Sequence, residues 1–281
     1  MRVPRSPELE ADILEDPDDA QRIAVWADAL LTAGHPLGEW LQLAVRDPAT
    51  LDGGQRKASE HLLSTEGQWW YGPLERAAVW ASGAVQQRRK GMPVEKRIVL
   101  PPRVVAPLGT ASTHLGLFDD ARGTVSFARH LGERPTAFAL RRLRITGPSL
   151  PTDPLRGLPD GALEAVWIEK PARTDGVRFG DLPPRLRHLS LDSVPLTGGM
   201  RGGLVTLEIA ASEPLDLDAL AESALPHLQI VRLSGPIDVR GLVQADLPAL
   251  RQVEVTGASA RDADWLRDQL GGRLGAGLVI A

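Results

Sequence analysis

Residues 140–145 read LRRLRI, and the same form, Leu-x-x-Φ-x-Φ with Φ aliphatic, returns five more times downstream. The copies are LEAVWI (163–168), LRHLSL (186–191), LVTLEI (204–209), LQIVRL (228–233) and LRQVEV (250–255), and their starts step by 18 to 24 residues. In an extended strand the last two apolar positions of each copy share one face, and the residue between them turns to the other. One such segment buries too few side chains to offset the entropy of ordering its own repeat. Stacked copies share the burial of each leucine with their neighbours and build one continuous core. The pattern therefore predicts parallel strands that follow one another in chain order.

Form and spacing together resemble leucine-rich repeats. That resemblance implies an α/β solenoid: a parallel β-sheet lines the inside of an arc, and the convex side is irregular. Connectors such as GPSLPTDPLRGLPDG (147–161) and EKPARTDGVRFGDLPP (169–184) are too rich in Pro and Gly for long helices. Loops, short 3₁₀ turns and brief helices, for instance at 216–223 and 260–269, are expected there. GGMRGG (198–203) reads as a tight connector with no helix behind it, so it offers no helix N-terminus to a phosphate. Further rungs are expected at Met92–Leu100, in one degenerate copy between Pro101 and Ala139 for which Val125–Phe127 is the candidate, and, last, at Gly277–Ala281. The repeats depart from the family at the ninth position, where Asn or Cys is usual and this chain has Pro148, Pro171, Val194, Ser212, Pro236 and Ala258. Asparagine is absent altogether, so the turns must be satisfied by backbone, water or proline's missing donor.

The first ninety residues differ in composition: five of the seven tryptophans fall between Trp26 and Trp80. Ser6-Pro7-Glu8 has the order of an N-cap, a first-turn proline and an early acid, which predicts a helix over 7–15. A second helix starts at Asp19, carries Ile23, Trp26, Ala27, Leu30 and Leu31 at three- and four-residue steps, and stops at Gly34. A third carries Trp40 and Leu41, and more helix is expected at 55–63 and 75–80. The run ADILEDPDDAQRIAVWADALLTAGHPLGEWLQL (11–43), followed by GQWWYGPL (67–74), resembles the helical repeat-companion domain found before leucine-rich repeats in bacterial proteins. Ala29 stands where that family usually has an aromatic, and the resemblance carries no catalytic residues with it. Two domains follow as an expectation: a helical companion or capping domain over 1–90 and an atypical repeat solenoid over 91–281. Glu15, Asp16, Asp18 and Asp19 lack the D-x-D-x-D-G order of a calcium loop and read as helix-ending and capping residues.

Bulk properties narrow the class of function. The chain has 281 residues, 43% of them hydrophobic, and a formal net charge of −4, so its total charge does not gather nucleic acid. It has no run of 18 apolar residues, and its N-terminus MRVPRSPELEAD lacks the apolar segment of an export signal, which points to a cytoplasmic protein with no membrane attachment, while four lysines beside 28 arginines look like the codon bias of a GC-rich bacterial genome. With no cysteine, disulfides, thiolate metal sites and cysteine nucleophiles are excluded. Arg88-Arg89-Lys90 and Arg141, Arg142 and Arg144 could meet phosphates, or be solvated and ion-paired. The six histidines are scattered without metal-ligand spacing, and neither a nucleophile elbow nor a phosphate loop is present. No cofactor and no metal is expected.

The candidate site is the row of residues that alternate with the apolar ones: Arg144, Trp167, Ser190, Glu208, Arg232 and Glu254. Beside it lie a row with Arg142 and His188 and a row with Glu169. An indole at such a position is a candidate hot spot for binding, or else is covered by a connector or the other domain. Arg142, Arg144, Trp167, Glu169, His188, Arg232 and Glu254 are therefore the expected contacts for a protein partner on the concave sheet face. The expected function is a non-catalytic protein–protein interaction scaffold. An inhibitor or immunity-type protein for a toxin or enzyme, and a nucleic-acid binder, are the alternatives.

Overall fold

A computed structural model describes residues 3–47, 50–65, 103–106, 109–147, 149–158, 161–169, 171 and 176–281. The rung expected at Met92–Leu100, the helix expected at 75–80, the GQWWYGPL run and the basic run Arg88-Arg89-Lys90 lie outside these residues. The chain forms two compact units, residues 1–122 with 126–141, and residues 123–125 with 142–281.

In the first unit, helices α1 (Pro7–Glu15), α2 (Ala20–Thr32), α3 (Pro36–Ala44) and α4 (Gly53–Thr65) follow the expected periodicity. Ile23, Trp26, Ala27 and Leu30 form the buried stripe of α2, and Gly34 ends it at φ +70°. Trp26 meets Phe138 edge-on, with ring centroids 5.5 Å apart. Ser6 does not cap α1 through its hydroxyl. Instead the buried Glu10 carboxylate reaches back to the Ser6 N–H at 3.4 Å, much as the returning acid of a capping box does, and accepts from Arg5 Nε at 2.8 Å, which supplies its counter-charge. Asp19 does cap α2, accepting the Gln21 N–H at 2.8 Å. α3 is capped by His35, whose Nδ1 accepts the Leu37 N–H at 3.2 Å. Arg22 ties Asp12, Glu15 and Asp19 together within 3.4 Å, so the acidic turn carries its own counter-cation.

Strands β1 (Arg103–Ala106) and β2 (Gly109–His114) pair antiparallel, and β2 neighbours β3 (Leu117–Gly123). The turn between β2 and β3 is Leu115-Gly116, both at positive φ, as a type I′ two-residue turn requires. A Cβ on Gly116 would also lie 2.7 Å from Leu41 Cδ2, so only glycine fits there. The strand expected at Val125–Phe127 is instead the start of helix α5 (Val125–Gly132). Its buried residues are Val125, Phe127, Ala128 and Leu131, and the three- and four-residue steps to Ala128 and Leu131 set a helical period that outweighs the two-residue alternation of Val125 and Phe127.

The second unit bears out the strand pattern. Strands β4 (Arg142–Ile145), β5 (Ala165–Ile168), β7 (His188–Asp192), β9 (Thr206–Ala210), β11 (Ile230–Ser234), β13 (Gln252–Thr256) and β14 (Leu278–Ile280) lie side by side in chain order, every pair parallel. Register is constant: Leu143, Val166, Leu189, Leu207, Val231 and Val253 face one another across the sheet, and all are fully buried. The first leucines of the copies, Leu163, Leu186, Leu204, Leu228 and Leu250, are buried with them. β14 is the rung expected at the C-terminal end.

Backbone geometry answers the missing asparagines. One residue past each strand, the N–H still bonds across the sheet: Ser193 to the Ala210 carbonyl, Ala211 to Ser234, Gly235 to Thr256 and Gly257 to Ala281, at 2.7 to 3.0 Å. The chain then turns through positive φ at Gly147, Ser193, Gly235 and Gly257. Where serine replaces glycine, the Ser193 hydroxyl accepts the Ser212 N–H at 3.2 Å and links the two turns. Two-residue strands outside this sheet pair in parallel as well: β6 (Gly180–Asp181) with β8 (Met200–Arg201), and β10 (Leu215–Asp216) with β12 (Ile237–Asp238). The connectors add short helices α6 (Asp218–Ala221) and α7 (Arg240–Gln244), and the longer α8 (Ala260–Leu274). The Ser259 hydroxyl caps α8, and Leu266 and Leu270 bury it. The result is an α/β chain with a large, mostly parallel sheet.

Candidate functional site

Alternation along each strand places the candidate residues on the sheet face opposite the core. Register sets Arg144, Trp167, Ser190, Glu208, Arg232, Glu254 and Val279 in one line across seven strands. Every member is half-buried or exposed, whereas the apolar residues on either side of each one in β4 to β13 are buried. Six of the seven residues expected to bind a partner are joined into a chain of contacts on this face.

At one end the contacts are planar. The Arg144 guanidinium lies over the Trp167 ring, 5.5 Å from its centroid, and its Nη1 donates to Glu169 Oε1 at 3.3 Å. The Trp167 ring meets the His188 ring at a centroid distance of 5.2 Å and a 43° tilt. At the other end the contacts are ionic. Arg232 Nη1 donates to Glu208 Oε1 at 2.6 Å, and its Nε donates to Glu254 Oε2 at 2.9 Å. The Glu208 bond, opposed by burial and joined by the Glu254 bond, raises the guanidinium pKa above its ordinary value. Gln252 Nε2 donates to the second oxygen of Glu254 at 2.5 Å. Arg142 is exposed at the start of β4.

His188 joins the two ends. Its Nε2 is buried 3.7 Å from Glu208 Oε2, beyond hydrogen-bond reach, and makes no other hydrogen bond. Burial pushes the imidazole pKa down, Glu208 pulls it up and Arg232 pushes it down, for a net lowering. The ring is therefore neutral at neutral pH.

Two features of this face were not among the expected contacts. Glu208 is the hinge of the ionic end, a role legible only once β9 is set between β7 and β11. Asp192 accepts from the Ser193 hydroxyl at 3.0 Å at the rim. Arg141, grouped with Arg142 and Arg144 in the sequence, belongs to the first unit, where it is paired to Asp119 at 2.6 Å and Asp18 at 2.9 Å. Away from this face, a cleft of about 260 Å³ is lined by Arg178, Asp181, Arg201 and Glu222, two charges of each sign.

Among the described residues no group of His, Asp or Glu is arranged to hold a metal, and no helix is long and apolar enough to cross a membrane. Comparison with protein-family models, with curated proteins and with solved structures yields no match.

Proposed function

We propose that this chain is a non-catalytic binding protein, built as a leucine-rich-repeat-like solenoid with a helical companion domain, that holds another protein on its sheet face. The observation that carries this reading is Trp167. An indole on the solvent side of a parallel sheet, steadied by Arg144 on one flank and His188 on the other, is a preorganised aromatic anchor. Its neighbours have few rotamers left to lose on binding, which lowers the cost of association. Around it, the core rows repeat the same residue types while the outer row changes from rung to rung, as a surface that reads one partner requires.

Purification of the tagged chain from its native host, with mass spectrometry of what comes with it, tests the reading. One protein should co-purify in stoichiometric amount and be lost from a Trp167→Ala, Arg144→Glu variant. Unchanged recovery by that variant would remove the sheet face from the account. If the recovered partner is a toxin or an enzyme and is inactive in the complex, the chain is an inhibitor.

A further inference from the structure

The two ends of the outer row differ in charge. Around β4 and β5, the charge of Arg144 is offset by Glu169. Around β7 to β13, Glu208 and Glu254 share the single guanidinium of Arg232, which leaves one negative charge over. Asp192, exposed at the end of β7, adds another. His188, on the same face, has its pKa lowered by burial, is neutral at neutral pH and offsets neither. Ser190, Thr206, Ala210, Ser234 and Thr256 on this face are small, and apart from Arg232 only Ile230 and Gln252, the latter bonded to Glu254, rise between the carboxylates. An incoming side chain can thus reach Glu208 and Asp192 over Ser190 and Ala210, and Glu254 over Ser234 and Thr256.

We propose that the β7–β13 half of this face receives a basic segment of the partner, one that sets lysine or arginine side chains against Glu208, Glu254 and Asp192 while an apolar neighbour rests on Trp167. The proposal rests on the reading of the sheet face as the binding surface and adds the chemistry of what binds. Charge complementarity selects the sign of the partner. A basic segment relieves the excess negative charge of the carboxylate–guanidinium–carboxylate triad, whereas an acidic segment increases it. Like-charge juxtaposition of that kind is a strong source of rejection.

Two labelled peptides test this, one alternating lysine with leucine and the other alternating glutamate with leucine, titrated into the full chain by fluorescence anisotropy at low and high salt. The lysine peptide should bind about tenfold more tightly than the glutamate peptide, and the difference should shrink as salt rises. Glu208→Gln with Glu254→Gln should weaken the lysine peptide about tenfold. Glu222→Gln with Asp264→Asn, which removes the same formal charge away from the face, should leave its affinity unchanged. Arg232→Gln, which removes the shared cation, should tighten binding, a direction that a folding defect would not produce.

Equal affinity for both peptides, no binding of either, or equal loss in the two double variants would overturn the proposal. If the glutamate peptide binds more tightly and Trp167→Ala releases it, the basic-segment proposal falls while the face remains the binding surface. If bound peptide is insensitive to every variant on the face, Trp167→Ala included, both readings fall.

Discussion

The two faces of the parallel sheet are made by the same strands, one residue apart, yet they obey different rules. On the inner face Leu143, Val166, Leu189, Leu207, Val231 and Val253 are interchangeable aliphatics, each fully buried and each set against its counterpart on the next strand. On the outer face Arg144, Trp167, Ser190, Glu208, Arg232 and Glu254 share the same register and almost nothing else. Stacking energy therefore resides in a row that tolerates only shape, and the proposed recognition falls to a row that is free to vary. The contrast also separates stability from binding in experiments, because a change on one face should leave the other nearly untouched.

The largest effect should come from the inner row. Leu189→Ala, in the middle of the sheet and with no exposed surface, should lower the free energy of unfolding by about 2–5 kcal/mol in chemical denaturation. Gly235→Ala should follow. It forces a side chain onto a backbone at φ +97° and drives the new Cβ into the Ala211 carbonyl oxygen, at a cost of about 1–3 kcal/mol by the same measurement.

A pH titration of stability probes the point where the two ends of the outer row meet. Because the folded-state pKa of His188 is lowered, the unfolded chain takes up the proton more readily than the folded one. Its contribution is therefore complete above the unfolded value of about 6.5 and is lost as pH falls through the depressed folded value. His188→Gln should flatten that part of the curve of unfolding midpoint against pH. The smallest effect belongs to the outer row: Arg232→Met removes two ion pairs from a partly exposed site and should change stability by about 1 kcal/mol or less. A loss as large as that of Leu189→Ala would mean that the outer row is structural, and the contrast would break.

The inner row is legible in the sequence because burial on a strand has a two-residue period, and six copies of the period agree. Val125–Phe127 misleads for the same reason: three residues alternate like a strand, and only Ala128 and Leu131 show that the period is helical. The two-residue strands at 180–181 and 200–201 are too short to carry any period. The turn device is half visible, as Gly147, Gly235 and Gly257 recur two residues after the last core position, while Ser193 takes the same backbone with a hydroxyl link that no residue type announces. Members of the outer row are readable one at a time. Their connections are not: Arg232 bonds Glu208, 24 residues away, and Glu254, 22 residues away, and both contacts need the register and the rotamers at once.

The central claim, that the outer sheet face is where a protein partner sits, is tested most directly by a photocrosslinking amino acid placed at Ser234, exposed on the outer face of β11, and separately at Glu222, exposed outside the sheet. After irradiation in host lysate, position 234 should yield one discrete crosslinked band and position 222 none. A band from position 222 with nothing from position 234 would contradict the account.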